Sequence, residues 1–293
     1  MANQFPEFGI FGPKSLAWKI HSHPSGWVGA IRALLIQALE PRAMAGVAQF
    51  SQFAEDTWRR FRTTSEFVMT VTYKPRTEAE AAIARVRKIH EPIVGTDPHT
   101  NQTFSANDPY LLAYVHNCLV DSLLTAYTSF AEALFSSEQD QYVAEMYEVA
   151  RLIGADLAEV PRTSSELSNW LSSQEGLLFT PEARIAAETL RNINVHPCLH
   201  QAWGVAWHAS LSIMPPYAME LYGFDIPVYS ALFYKELARA LARAMRLALP
   251  NHPYYREAKY LYYDYYSRNE SHSCKDEIEH VLKDLITIVS FGR

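Results

Sequence analysis

The sequence predicts an all-α fold in one domain, and three observations carry that reading. Apolar residues recur at spacings of three and four over 31–39, 79–89, 111–134, 142–153, 183–193, 231–249 and 278–289, the period of a helix with one buried face. Capping residues bracket those runs. Strand character is confined to 67–73, where Phe67, Met69, Val71 and Tyr73 alternate, and one isolated strand cannot build a sheet.

From the N-terminus onward, residues 1–14 carry Phe5, Pro6, Gly9 and Gly12 and read as an irregular segment. They lack the basic region and unbroken apolar run of a signal peptide. The apolar stretch 28–39 is interrupted by Arg32 and Gln37 and falls short of the roughly 20 residues that span a bilayer. Gly95 is expected to close the helix over 79–89. Asp108 before Pro109 pairs an N-cap residue with a proline at the first helical position, and Thr180-Pro181-Glu182 repeats the arrangement. Thr163 and Glu166 have the three-residue spacing of a capping box. Gly154, Gly223 and the turn Pro250-Asn251-His252-Pro253 end further helices. The tyrosines 260, 262, 263, 265 and 266 suit side chains that bridge core and solvent, or a wall around a flat ligand. Neither an internal repeat nor a linker is visible, so 1–293 is expected to form a single domain.

With 293 residues, 48% hydrophobic and 20% charged, the chain can bury a large core. The 26 basic against 32 acidic residues give a net charge of −6 without the basic clustering that nucleic acid requires, so no nucleic-acid partner is expected. Cys118, Cys198 and Cys274 are odd in number and far apart, which argues against a disulfide framework and for a reducing, cytoplasmic setting. Without CxxC or CxxCH, cysteine zinc sites and covalent haem are not expected. Dinucleotide, P-loop, zincin and α/β-hydrolase signatures are also missing.

Chemistry then rests on histidines. Leu112, His116, Leu119, Leu123 and Tyr127 form one stripe of a helix, placing an imidazole in apolar surroundings. Either a neighbouring carbonyl satisfies that ring, or it ligates a metal or haem iron. On the preceding helix Ile83, Val86 and His90 share a face. The polar segment 95–107 between the two helices is long enough to let them approach a flat cofactor from opposite sides. Arg85, Arg87 and Lys88 suit the negative end of their helix dipole, and their forked or cationic heads also suit carboxylates such as haem propionates. Glu277 and His280 have the spacing of a di-iron helix, although the second copy that such a site requires is not visible.

In order and spacing, several short segments resemble the helical haem b oxygenase family of latex-clearing (rubber) oxygenase and MpaB. They are Arg32-Ala33-Leu34-Leu35-Ile36-Gln37-Ala38-Leu39-Glu40-Pro41, Arg85-Val86-Arg87-Lys88-Ile89-His90 with Val94-Gly95, and Tyr114-Val115-His116 with Asp121. Tyr142 with Glu145, Leu152-Ile153-Gly154, Val160-Pro161 with Thr163, and Met214-Pro215-Pro216 with Tyr222-Gly223 extend the likeness. The resemblance implies a globin-like helical domain, with extra helices, around non-covalent haem b. His116 would be the proximal iron ligand, and His90 would lie in or near the pocket. Arg32, Arg85 and Arg87 would be further cofactor contacts, with Arg85 roughly where the rubber enzymes carry a distal lysine. Glu40, Lys74 and Met219 depart from the family pattern.

The function so implied is a haem-dependent oxygenase that uses O2 to cleave a double bond in a small apolar, isoprenoid-like substrate, with His90 or Arg87 as the catalytic polar group. Two other readings remain open: a helical protein that carries haem or an apolar ligand without turnover, and a di-iron oxidoreductase.

Overall fold

The computed structural model describes residues 9–51, 57–248 and 250–269. It is 71% helical, in agreement with the all-α expectation. The chain runs α1 (Leu16–His21), α2 (Gly26–Gln37), α3 (Pro41–Phe50), α4 (Thr57–Tyr73) and α5 (Arg76–His90). A short antiparallel hairpin, β1 (Val94–Thr96) with β2 (Thr103–Ser105), leads into α6 (Pro109–Phe130) and α7 (Ser136–Ile153). Then follow α8 (Ser164–Ser172), α9 (Pro181–Arg191), α10 (His200–Leu211), α11 (Pro216–Tyr222), α12 (Val228–Ala248) and α13 (Pro253–Asn269). The helix expected over 278–289, Cys274 and the Glu277/His280 pair lie outside the described residues.

The caps form as the sequence implied. Asp108 accepts the Tyr110 and Leu111 amides at 2.9 and 3.0 Å, and Thr180 accepts the Ala183 amide at 3.1 Å. Thr163 and Glu166 make their reciprocal box. Gly154 closes α7 at φ 82°, a left-handed conformation that glycine adopts without a Cβ clash.

Two local expectations change. Residues 67–73 are the last turns of α4, which packs against α1, α5 and α13, and this tertiary packing overrides the local alternation. Thr70 and Thr72 turn their hydroxyls to the carbonyls of Glu66 and Val68 one turn back, which accommodates them in the helix. The helix before Gly95 ends at His90, and Gly95 instead belongs to β1. There it pairs with Phe104, and a Cβ at Gly95 would meet that ring at 2.9 Å. The segment expected to be a polar loop is thus a hairpin, which Asp97 tightens by accepting the His99 and Thr100 amides at 3.3 and 2.8 Å.

The centre of the fold is α6, which packs against α1, α2, α7, α8 and α12 and is buried nearly all round. Its tightest neighbour is α2. A Cβ on Gly29 would lie 2.8 Å from the Ser122 carbonyl oxygen and 3.2 Å from the Ala126 Cβ. One turn later Arg32, 4% exposed, pairs with Asp121 at 2.7 Å. It also donates to Ser122 Oγ at 2.6 Å and to the Ile213 carbonyl at 2.8 Å. Tyr114 and Tyr222 donate to the α2 carbonyls of Ile36 and Leu35 at 2.9 and 2.8 Å.

The departures from the family pattern carry local structure. Glu40 N-caps α3 through the Ala43 amide at 2.8 Å and pairs with Arg42 at 2.9 Å. Lys74 pairs with Glu257 at 2.7 Å.

Removing one partner of a buried ion pair strands the other charge. Arg32→Leu is therefore expected to lower the unfolding free energy by about 3–5 kcal/mol, read from urea denaturation. A loss below about 1 kcal/mol, the range of a solvent-exposed pair, would contradict the assignment of this pair to the core.

Candidate functional site

The C-terminus of α5, the hairpin and the start of α6 meet at a corner with an unusual polar inventory. Among the described residues the buried side-chain polar atoms without a hydrogen-bond partner are His90 Nδ1, Asn107 Oδ1 and the Tyr217 hydroxyl. Two of these lie at this corner. Leaving such an atom unsatisfied costs about 1–3 kcal/mol, so each is an offer of a bond to something else.

His90 ends α5. Burial lowers its pKa, a hydrogen bond to the Ala106 backbone opposes that shift, and the Arg60 charge adds to it. Nδ1 of the ring is enclosed and has no hydrogen-bond partner, so it is open to a bond from outside the protein. Asn107 is held beside it by its Nδ2 donating to the Arg87 carbonyl at 2.9 Å.

His116 lies seven residues past Pro109, about 10 Å along α6. It is buried, and burial is the only cause that lowers its pKa, to about 4. No protein group among the described residues hydrogen-bonds its ring, and the ring nitrogens are not among the fully enclosed unpartnered atoms, so the 6% of the residue that is exposed leaves them within reach of solvent or a ligand. The contrast with His21 is direct. The Thr72 hydroxyl gives its proton to the Val68 carbonyl, so at 2.8 Å it accepts from His21 Nδ1, and His21 Nε2 accepts from the Tyr142 hydroxyl at 3.0 Å. One buried histidine is fully satisfied by the fold and the other is not.

The remaining sequence candidates are placed differently. Arg85, Arg87 and Lys88 are exposed. The Arg87 guanidinium lies over Gly154, where a Cβ would meet it at 3.1 Å, and so faces the end of α7. Arg32 is committed to Asp121, Ser122 and Ile213 in the core. Cys118 is buried beside Tyr114, and burial pushes its thiol pKa up. Helices α5 and α6 each pack on α7. Sequence reasoning missed Asn107 and Arg60; the Asn107-Asp108-Pro109 run signalled a cap and nothing more.

Two pockets stand out among the described residues, one lined in part by Gln174, Tyr217 and Glu220 and one in part by Lys14, Trp18 and Arg246; neither borders His90 or His116. No three His, Cys, Asp or Glu side chains gather as a metal site among the described residues, and an iron held by a porphyrin and one imidazole needs no such cluster. Among the same residues no helix is long and apolar enough to cross a membrane.

The profile of one protein family, described as ER-bound oxygenase mpaB/B'/rubber oxygenase, catalytic domain, matches residues 18–247. The chain belongs to that family. No curated protein and no solved structure matches it. The matched span of this mpaB/rubber oxygenase catalytic domain holds all of α2 to α11, and with them His90, Asn107 and His116.

In this oxygenase domain the neutral histidines set an acid limit. The pKa of His21 is lowered by burial to about 3 and that of His116 to about 4, from an ordinary 6.5. Below pH 6.5 the unfolded chain therefore takes up protons that the folded chain refuses, and stability falls as pH falls. Each histidine contributes about 1.4 kcal/mol per pH unit between roughly pH 6 and 4. Urea titrations at pH 7, 6 and 5 are expected to show that decline; a flat or rising profile would contradict neutral burial of both rings.

Proposed function

We propose that this chain is a haem b-dependent oxygenase that uses O2 to cleave a carbon–carbon double bond in a small apolar, isoprenoid-like substrate. The observation that carries the reading is the His116 ring, buried, neutral and without a protein partner on the central helix. Those are the properties an iron ligand needs, since a protonated or hydrogen-bonded nitrogen has no lone pair to give. The family match supports oxygenase chemistry in general, and the likeness of the Tyr114-Val115-His116 segment supports haem in particular.

When bound, haem b would supply the oxygen-activating chemistry. His116 would hold it through a ring nitrogen. His90 Nδ1, enclosed and without a protein partner, would serve as a polar group able to exchange a hydrogen bond or a proton with a bound molecule. Arg60 helps keep that ring neutral at pH 7. Asn107 Oδ1 offers a second acceptor. Leu112, Leu119 and Leu123, on the stripe of His116, supply apolar walls that exclude water. Arg87, over Gly154, has no part in this scheme. Neither of the two pockets described above borders His116 or His90, so the haem site of this reading is distinct from both.

Haem-loaded protein given an unsaturated isoprenoid is expected to consume O2 and release an aldehyde or ketone. His116→Leu should abolish that activity. The same variant without haem should keep its unfolding free energy within about 1 kcal/mol, because no protein hydrogen bond is lost. Substrate binding without carbonyl product would overturn the oxygenase reading in favour of a carrier. A large stability loss in the haem-free variant would mean that His116 serves the fold.

A further inference from the structure

We propose that the pocket between α1, α6 and α12 is a second ligand site, one that takes a small organic oxyanion, a carboxylate or phosphate group on an apolar or aromatic body. The site is independent of the haem reading. Tyr127, which lines it, lies eleven residues past His116, about 16 Å farther along α6.

The pocket has a volume of about 420 Å³, within the range of small-molecule sites. Its lining joins two chemistries. Trp18, Tyr127 and Tyr255 provide aromatic surface, with Trp18 and Tyr255 centroids 6.0 Å apart. Lys14, Lys19 and Arg246 provide positive charge, and no carboxylate lines the pocket. One acidic group stands close by: Glu132 pairs with Lys19 and accepts the Tyr127 hydroxyl at 2.7 Å. Lys14 and Arg246 have no ion-pair partner among the described residues. Glu132 also feels the Arg246 charge, so among the described residues one carboxylate faces three cations and positive charge is in excess around the aromatic recess.

His23, also in the lining, adds a donor. Its Nδ1 accepts the Ser25 amide at 3.1 Å, and a backbone amide can only donate, so in the neutral ring the proton sits on Nε2. Burial and the Arg246 charge keep that ring neutral against the opposing pull of Glu132, with its pKa lowered to about 4. The His23 ring meets the Tyr127 ring edge-on, with centroids 5.4 Å apart. An N–H donor, an excess of positive charge and aromatic walls together match an oxyanion attached to an apolar body; a bare anion would leave the walls unused, and a neutral body would leave the cations unused.

Isothermal titration calorimetry at low salt with phenylacetate, phenyl phosphate, inorganic phosphate and 2-phenylethanol tests the proposal. Both phenyl oxyanions, or whichever of the two head groups the site prefers, should bind one per chain, and the neutral alcohol should bind about tenfold more weakly or worse. Arg246→Glu and Lys14→Glu, both on the rim, should each weaken the oxyanion about tenfold, as should about 0.5 M salt. Carboxylate and phosphate arms identify the head group. Equal affinity for 2-phenylethanol, unchanged binding in both variants, or inorganic phosphate binding as tightly as phenyl phosphate would overturn the proposal.

Discussion

Helices α2 and α6 approach so closely at Gly29 that no side chain fits between them, and the Arg32 guanidinium one turn later is enclosed by Asp121, Ser122 and the Ile213 carbonyl. That contact places α6 in the middle of the molecule. A helix buried over most of its surface must either satisfy or suppress each polar group that it turns inward. Most on α6 are satisfied: Tyr114 by Ile36, Ser122 by Arg32, Asn117 by the Glu159 carbonyl. His116 alone among the helix's histidines and amides is left with an unmet ring, and the candidate site follows from that.

Among the ionisable rings of the interior, burial acts in one direction. Tyr114 and Tyr142 have their ionisation pushed upward by burial, and His21 and His116 have theirs pushed downward. Each of these four shifts favours the neutral form, as expected of groups taken out of water, whereas Asp97 is held charged by the hydrogen bonds of its turn. A neutral interior keeps imidazole lone pairs available. Charge is carried instead by enclosed pairs such as Arg32 with Asp121 and by the rim of the α1/α12 pocket.

Much of this was legible in the sequence, for identifiable reasons. The caps at Asp108, Thr163 and Thr180 depend on contacts within four residues, and such signals survive in a linear reading. So did the helical periods, because one buried face repeats with the helix itself. What a linear reading left open was tertiary. Residues 67–73 alternate like a strand, yet their threonines bond one turn back and neighbouring helices cover them. The hairpin around Asp97 replaced an expected loop, since its turn is set by Asp97 and by Phe104 lying over Gly95. For the site, His90 and His116 could be named from their helix faces. Asn107 and Arg60 could not, because their place beside His90 depends on how α4, α5 and the hairpin meet. Arg32 looked like a cofactor contact in the sequence, and only the fold reveals the carboxylate, hydroxyl and carbonyl that occupy it.

An absorption spectrum of the haem-reconstituted chain, oxidised and then reduced under carbon monoxide, tests the central claim most directly. The account predicts stoichiometric porphyrin absorbance with a Soret band that shifts under carbon monoxide, and its loss or gross alteration when position 116 is leucine. A spectrum that is unchanged by that substitution, or a wild-type chain that takes up no porphyrin, would contradict it.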